Sequence, residues 1–509
     1  MPFIPSARAP FCAAMLAAAG CAAALLPATR ARAQCNSINA DLIVAELGTQ
    51  QMNFNAGGGT EAFLWSVMRC NIGNAPVATV NTTNQHPVTT QNLYRLKTVS
   101  GAQRFEQVGT SWCYHDFSSA SNSFCCTCTN SSTTQIAAGC SLFVAPTFLG
   151  NPMYVGPRWE VTPSSGMWIW PTANHPAPGG NAGKLQVLIS DLEVSGPVPA
   201  AQYFAEAITL SLEEAQNGTP QNNAGYAPVP VTGSGTAWTF GAGTATQRSA
   251  AIFAWKVADP GVTLASVDMP LDGRIYVASR ATQLPSGKWH YEYAVQNLNS
   301  TRSVGSLTIP IQAAALVENT GFHDIIYFGT GGQIDGSPYA TTDWPVTRTG
   351  TAVSWATLPS GANPNANALR WGSLYNFRFD SDRPPTSGTV TLGMFLSGIG
   401  GNPTLGAVVP STCGVAPRCQ PADIANDAGG PLPPLGPCEG ATNSGVNEGD
   451  YNYFFNTFFI NLAVGSPADI SDDAGNPLPP FGPGGTSNSG VNEGDYNCFF
   501  NNFFNGCPT

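Results

Sequence analysis

Near its C-terminus the chain repeats a segment almost word for word, and that duplication constrains the fold more than any other feature. Pro421-Ala-Asp423-Ile424-Ala-Asn-Asp427-Ala-Gly429 recurs as Pro467-Ala-Asp469-Ile470-Ser-Asp-Asp473-Ala-Gly475. Asn443-Ser-Gly-Val-Asn447-Glu-Gly-Asp450-Tyr451 recurs as Asn488-Ser-Gly-Val-Asn492-Glu-Gly-Asp495-Tyr496. Each copy then runs into phenylalanines, 454, 455, 458 and 459 in the first and 499, 500, 503 and 504 in the second. Three-four spacing puts each set on one face of a helix. Each copy therefore reads as an acidic, glycine-punctuated loop followed by an aromatic helix.

Hard oxygen ligands at spaced positions and a tight turn are what a calcium loop needs. Asp423, Asp427, Asn447 and Asp450 supply such oxygens in the first copy, at the first, fifth, ninth and twelfth positions of the motif. Asp469, Asp473, Asn492 and Asp495 repeat the set. Gly445 and Gly490 suit the turn, because glycine adopts backbone conformations that other residues avoid. Two other readings stand beside calcium: an acidic solvated surface, and a loop ordered by other means such as disulfides. The aromatic stripes, for their part, are expected mainly to pack the two copies together.

These paired units resemble the duplicated repeats of dockerins, especially variants at the ends of exported planctomycete-type proteins. The resemblance covers about a fifth of the chain. It implies two calcium loops, each followed by a helix, that dock onto a cohesin-like receptor domain. The loops depart from the family pattern. Pro431-Leu-Pro-Pro434 and extra glycines lengthen the first far beyond twelve residues, and the third motif position is Ala425 or Ser471. Loop closure costs rise slowly with length, so distant ligands can still return to one ion.

Upstream of the repeats, the 509-residue chain exceeds a single core, and two to four domains are expected. Charged residues make up 10% while glycine and proline number 55 and 42, a mixture that suits strands and turns over helical bundles. A net charge of -11 argues against a nucleic-acid surface. Past Ala407 there are ten acidic side chains and one basic one, Arg418, which marks the last boundary. The expected fold is mainly β: one or two antiparallel β-sandwich domains followed by a small calcium-loop and helix module. The expected divisions are a signal peptide over 1–33, a cysteine-rich β domain over 34–220, a β-sandwich over 221–408 and the module over 409–509.

Arg8, an apolar run from Phe11 to Leu26 and Ala31-Arg32-Ala33 read as an export signal cleaved after Ala33. Pro27 and the arginines interrupt the run before it could span a membrane. The protein is thus expected outside the cell or on its surface, with no membrane span. Cleavage leaves seven cysteines between Cys35 and Cys140 and five between Cys413 and Cys507. In an exported chain these favour disulfides over zinc or copper, even with His86 and His115 near Cys125, Cys126 and Cys128. Odd numbers mean a bridge from body to tail or two free thiols.

Strand patterns recur through the body, at Asn92–Leu96, Arg104–Val108, Arg274–Ala278, Trp289–Val295, Ser306–Ile311, Leu374–Phe379 and Thr389–Phe395. Phe204–Glu214 reads as a modest helix. No catalytic motif is decisive. His323-Asp324 lacks a Gly-x-Ser-x-Gly elbow, and Thr301–Gly305 reads as a turn. Glu160, Glu206, Glu213, Glu214 and Glu292 are candidate glycosidase acids, with Glu292 foremost. Trp159, Trp168, Trp170, Trp289, Trp344, Trp355 and Trp371 could stack on sugars, although most should fill cores. The leading expectation is a secreted structural or adhesive protein attached through its calcium-ordered tail to a cohesin-like receptor or to itself. The alternative is a carbohydrate-binding or polysaccharide-degrading protein carrying the same tail. A cleft with two carboxylates would favour the enzyme.

Overall fold

The computed structural model describes residues 35–116, 121–128, 132–169, 181, 183–194, 201–218, 220–241, 243–328, 338–411, 418–432, 443–460, 462–479, 481–482, 484–485 and 487–505. The expected export signal, Trp170, His175, Cys413, Cys438 and Cys507 lie outside them.

Hairpins start the first sheet. Strands β1 (Leu42–Gly57) and β2 (Thr60–Asn71) pair antiparallel around Gly57, Gly58 and Gly59, all at positive φ. Strands β3 (Val88–Val99) and β4 (Ala102–Thr110) turn through Ser100 and Gly101 at φ 52° and 86°. Two positive φ values in a two-residue loop match the twist of the flanking strands. Strand β5 (Leu185–Leu188) joins β2 to β4. Strand β6 (Gln202–Leu210) pairs with β3, and β7 (Ala224–Pro228) pairs with β6.

The resulting order, β7-β6-β3-β4-β5-β2-β1, nearly closes into a barrel. At the join, a Cβ on Gly225 would lie 2.9 Å from both the Cβ and the carbonyl oxygen of Val44. Phe63, Trp65, Leu93, Val187 and Ala205 fill the interior. Three disulfides, Cys35–Cys126, Cys70–Cys125 and Cys128–Cys140, tie the cysteine-rich loop to this unit. Disulfides therefore use the cysteines that a metal would have needed, and Cys113 is left as a buried thiol.

Two sequence expectations change here. Residues 204–210 are strand, because the apolar run Tyr203–Leu210 is buried on both faces between β3 and β7; only Leu212–Asn217 is helical. The β6–β7 hairpin also crosses the expected boundary at 220. Val231–Ser234 and Ala237–Phe240 form a further hairpin whose Trp238 and Phe240 sit in the barrel core.

A two-sheet sandwich follows. One sheet orders β8 (Thr263–Asp268), β9 (Arg274–Gln283), β10 (Trp289–Asn297), Ser373–Ser381 and Glu318–His323. The facing sheet orders Val346–Arg348, Ala352–Ala356, Val304–Pro310, Pro385–Met394 and Thr404–Pro410. Tyr291, Tyr293, Val295, Phe377 and Phe379 from the first meet Leu307, Ile309, Trp355 and Val390 from the second. The back of the first sheet is covered too. Ala278, Ala294 and Leu374 pack with Tyr94, Phe105 and Ile208 of the barrel and with Trp255 of the connecting helix Phe253–Ala258. Strand β10 thus has no solvent face, although its sequence alternates. The chain ends in two helices, α1 (Glu448–Phe458) and α2 (Glu493–Phe503). Among the described residues no helix is long and apolar enough to cross a membrane.

Candidate functional site

Each repeat folds around the residues singled out in its sequence, and each uses them identically. Asn447 stands before α1 with its Oδ1 accepting the Gly449 N–H at 2.7 Å, while Asp450 Oδ2 accepts the Asn447 N–H at 2.9 Å. That reciprocal pair is a capping box, which satisfies donors that a helix start leaves unpaired. The other oxygen of Asp450 reaches back along the chain and accepts the N–H groups of Ile424 and Ala425 at 2.6 and 2.7 Å. In the second copy Asn492 caps Gly494 at 2.6 Å, and Asp495 accepts from Asn492, Ile470 and Ser471 at 2.9, 2.7 and 2.8 Å. One carboxylate therefore clips the start of each loop to the start of its helix.

The remaining acids brace the loop between. Asp427 Oδ1 accepts the Ser444 N–H and Oγ at 2.8 Å and the Asn447 Nδ2 at 2.6 Å. Asp473 does the same with Ser489 at 2.8 Å and Asn492 at 2.7 Å. Asp423 accepts from Cys419 N at 2.6 Å and Asn443 Nδ2 at 2.9 Å; Asp469 accepts from Asn488 Nδ2 at 3.0 Å. Gly445 and Gly490 have φ of 89° and 91°, as the turn expectation requires. Two residues outside the expected ligand set are equally built in. Asn426 Oδ1 accepts the N–H groups of Ala428 and Gly430, and Asp472 Oδ1 those of Ala474 and Asn476. Their place directly before Asp427 and Asp473 was the only signal for them.

As arranged, half of the expected calcium ligands spend their oxygens on amides. Calcium takes six to eight oxygen ligands, but the oxygens of Asp450 and Asp495, and Oδ1 of Asn447 and Asn492, face backbone N–H groups. Among the described residues no three His, Cys, Asp or Glu side chains are grouped to hold a metal. In the first copy Arg418 brings a positive charge instead. Its guanidinium donates to the carbonyls of Asp423 and Pro421 at 2.6 and 2.8 Å and lies beside the Asp423 and Asp450 carboxylates. Burial, reinforced by Asp423, pushes the Asp450 carboxyl up to about 6 against the backbone N–H groups that pull it down. The position equivalent to Arg418 in the second copy is Val464.

Phenylalanines join the copies. Phe454 and Phe499 stack at 4.0 Å with their planes 10° apart. Tyr451 meets Phe503 at 5.8 Å, and Phe458 meets Tyr496 at 6.1 Å, a reciprocal exchange between the helices. Ile424 and Ile470 from the two loops complete the core. Phe459 and Phe504, at equivalent positions, remain 73% and 79% exposed.

The body's candidate acids are all engaged in structure or withdrawn into it. Glu206, fully buried, accepts from Tyr94, Asn92 and Ala251 at 2.6, 2.8 and 2.7 Å. Glu214 accepts the Leu42 N–H at 2.5 Å, and Glu213 the Ala78 N–H at 2.9 Å. Glu160 is buried. Glu292 pairs with Arg104 at 2.8 Å across the seam between barrel and sandwich, and also holds Asn376 at 2.7 Å and His290 at 3.0 Å. His290 reaches Asp380 at 2.5 Å on its other side. His323 bonds the Gln107 carbonyl at 3.0 Å, and Thr301–Gly305 carries Ser303 at φ 57°. His86 and His115 do meet, at 3.1 Å, beneath Trp168.

A cavity of about 340 Å³ opens along the same seam, lined by Trp112, Trp159, Trp371, Tyr339, Arg158 and Arg370 among others. Among the described residues no carboxylate lines it. Of the tryptophans considered as a sugar platform, Trp344 and Trp355 are core residues of the sandwich, and among the described ones only Trp159 and Trp371 line this cavity.

No protein-family model and no curated protein matches the chain. Among solved structures, a serine-rich repeat adhesion glycoprotein from Streptococcus agalactiae is 10% identical over 72% of this chain and 98% of its own, with a TM-score of 0.18. An exo-chitosanase from Amycolatopsis orientalis is 10% identical over 68% of this chain and 25% of its own, with a TM-score of 0.14. The chain thus spans about a quarter of the chitosanase. At such scores neither likeness bears on function.

Proposed function

We propose that this is an exported, non-catalytic structural or adhesive protein whose paired C-terminal loop-helix units attach a β-rich body to a surface or extracellular assembly. One observation carries the reading. The duplicated tail is built as a unit around the Phe454–Phe499 stack, yet it leaves equivalent aromatic side chains, Phe459 and Phe504, facing solvent. A module that only terminated the chain would have no need to keep both exposed. Three disulfides in the body fit an oxidising compartment outside the cytosol.

The partner expected from the dockerin resemblance is a cohesin-like receptor, with self-association as the other occupant. The hydrogen bonds described above support a module ordered by its own amides. For calcium to order it instead, the ion would have to displace N–H groups from Asp427 and Asp473. Polysaccharide hydrolysis draws no support from the cavity, which has no pair of acids among the described residues; carbohydrate binding keeps its support there.

The test is retention of the full chain on the cell-surface fraction of its own source, comparing the wild type with a Phe459→Ser/Phe504→Ser double variant. Loss of retention by the variant is expected, with sedimentation showing whether self-association is lost too. Equal retention of both proteins would refute attachment through this face.

A further inference from the structure

We propose that the seam cavity binds an acidic saccharide, a sugar ring carrying a carboxylate. The inference is independent of the tail, and its failure would leave the attachment reading standing.

Charge supplies the first argument. Arg158 is buried, and among the described residues its hydrogen bonds go to neutral oxygens: Ser111 O at 2.7 Å, Asn92 Oδ1 at 2.7 Å, Gly372 O at 2.8 Å and Gln91 O at 3.0 Å. Arg370 likewise gives its Nη2 to the carbonyls of Pro364 and Ala366 at 2.9 and 3.2 Å. Among the described residues neither guanidinium has a carboxylate at ion-pair distance, although acids outnumber bases 31 to 20 in the chain. Two arginines with no carboxylate at ion-pair distance, beside one cavity with no acid among the described residues of its wall, make a site that favours an anion.

Shape and positioning supply the second. Arg370 is clamped between the rings of Tyr339 and Phe395, its guanidinium carbon 4.6 Å from each centroid. Its Nε has no partner among the described residues. A guanidinium held in place suits a charge-assisted hydrogen bond to a carboxylate. Trp159 and Trp371 add apolar ring surface to the wall, and the buried Nε1–H of Trp159 also has no partner among the described residues. Thr162 and Ser303 bring hydroxyls to the lining. Aromatic faces and a few hydroxyls match a polyol ring, and the arginines add the charge that its carboxylate needs. A volume near 340 Å³ lies within the usual range of about 300–1,000 Å³ for small-molecule sites.

The position of the cavity is fixed from both sides. Trp371 donates its indole N–H to the Arg158 carbonyl at 3.0 Å, while Arg158 donates to Gly372. Barrel and sandwich thus hold the wall in one geometry, so binding needs little ordering of side chains.

Calorimetric titration of the full chain with a galacturonic acid disaccharide, beside the neutral galactose disaccharide, tests this. The acidic sugar should bind at least about tenfold more tightly, and the difference should shrink as salt is raised. Arg370→Met should lower affinity for the acidic sugar to that for the neutral one. Because Arg370 also braces two carbonyls, Trp159→Phe serves as a second variant that keeps an aromatic ring but trims the indole's stacking surface; it should weaken binding several-fold. Equal affinity for both sugars, no binding of the acidic one, or full affinity in Trp159→Phe together with Arg370→Met would overturn the proposal.

Discussion

Two aspartates at equivalent positions show how much one side chain can organise. Asp495 accepts three backbone N–H groups, two from the loop and one from the helix cap. Asp495→Ala would leave those donors without their acceptor, at a cost of about 1–3 kcal/mol. The expected readout is faster hydrogen exchange across Glu493–Phe503, with Glu448–Phe458 less affected. His290 permits a pH prediction. Burial lowers its pKa, but Glu292 and Asp380 on either side outweigh this and hold it above the ordinary value of 6.5. A raised folded pKa means the histidine's contribution is complete below the unfolded value and fades as pH climbs through the folded one. Thermal stability should therefore decline above about pH 6.5, and His290→Gln should flatten that decline. Wild type and variant with identical pH profiles would contradict the assignment.

At the scale of elements, the helix pair and the seam strands carry the cohesion. Phe454 is fully buried against Phe499. Phe454→Ala should destabilise the tail by about 3–5 kcal/mol, seen as early proteolysis in residues 443–505 while the disulfide-bonded barrel resists. Arg104→Met would strand the buried Glu292, which costs about 3–5 kcal/mol when a partner is lost; Asn376 and His290 should keep the drop in global unfolding free energy near the lower figure. Most of the strands were readable, since Trp289–Val295 and Leu374–Phe379 alternate or run apolar and fold as strands. Phe204–Glu214 misled because an apolar run buried on two faces has no period to separate strand from helix. The polar side of Trp289–Asn297 misled differently: His290 and Glu292 alternate with the apolar side chains, but Glu292 meets Arg104 from the barrel and His290 is held between Glu292 and Asp380.

For the whole molecule, the decisive measurement concerns the tail's dependence on metal. If its amides hold the loops, chelator and millimolar calcium should give the same melting profile and the same exchange rates over 443–505. A clear rise in stability with calcium would instead support the ligand set of Asp423, Asp427, Asn447, Asp450 and their repeats. The barrel and sandwich share one apolar seam, with Tyr94 and Phe105 on one side and Ala294 and Leu374 on the other. They should therefore unfold together, and a calorimetric scan with two separated body transitions would argue otherwise.

The sequence by itself determined the local choices: the duplicated loop-helix units, the glycine turns, the strand-rich body and the use of cysteines for crosslinks. Those follow from spacing and residue type, which act over a few neighbouring positions. Only the tertiary structure decided that Asp450 and Asp495 would face amides, that the candidate acids would be withdrawn into the body's structure, and that two arginines would line one cavity. Each of those depends on groups tens to hundreds of residues apart. Burial and hydrogen bonding between such groups are set when the sheets close and pack, and no local pattern records them.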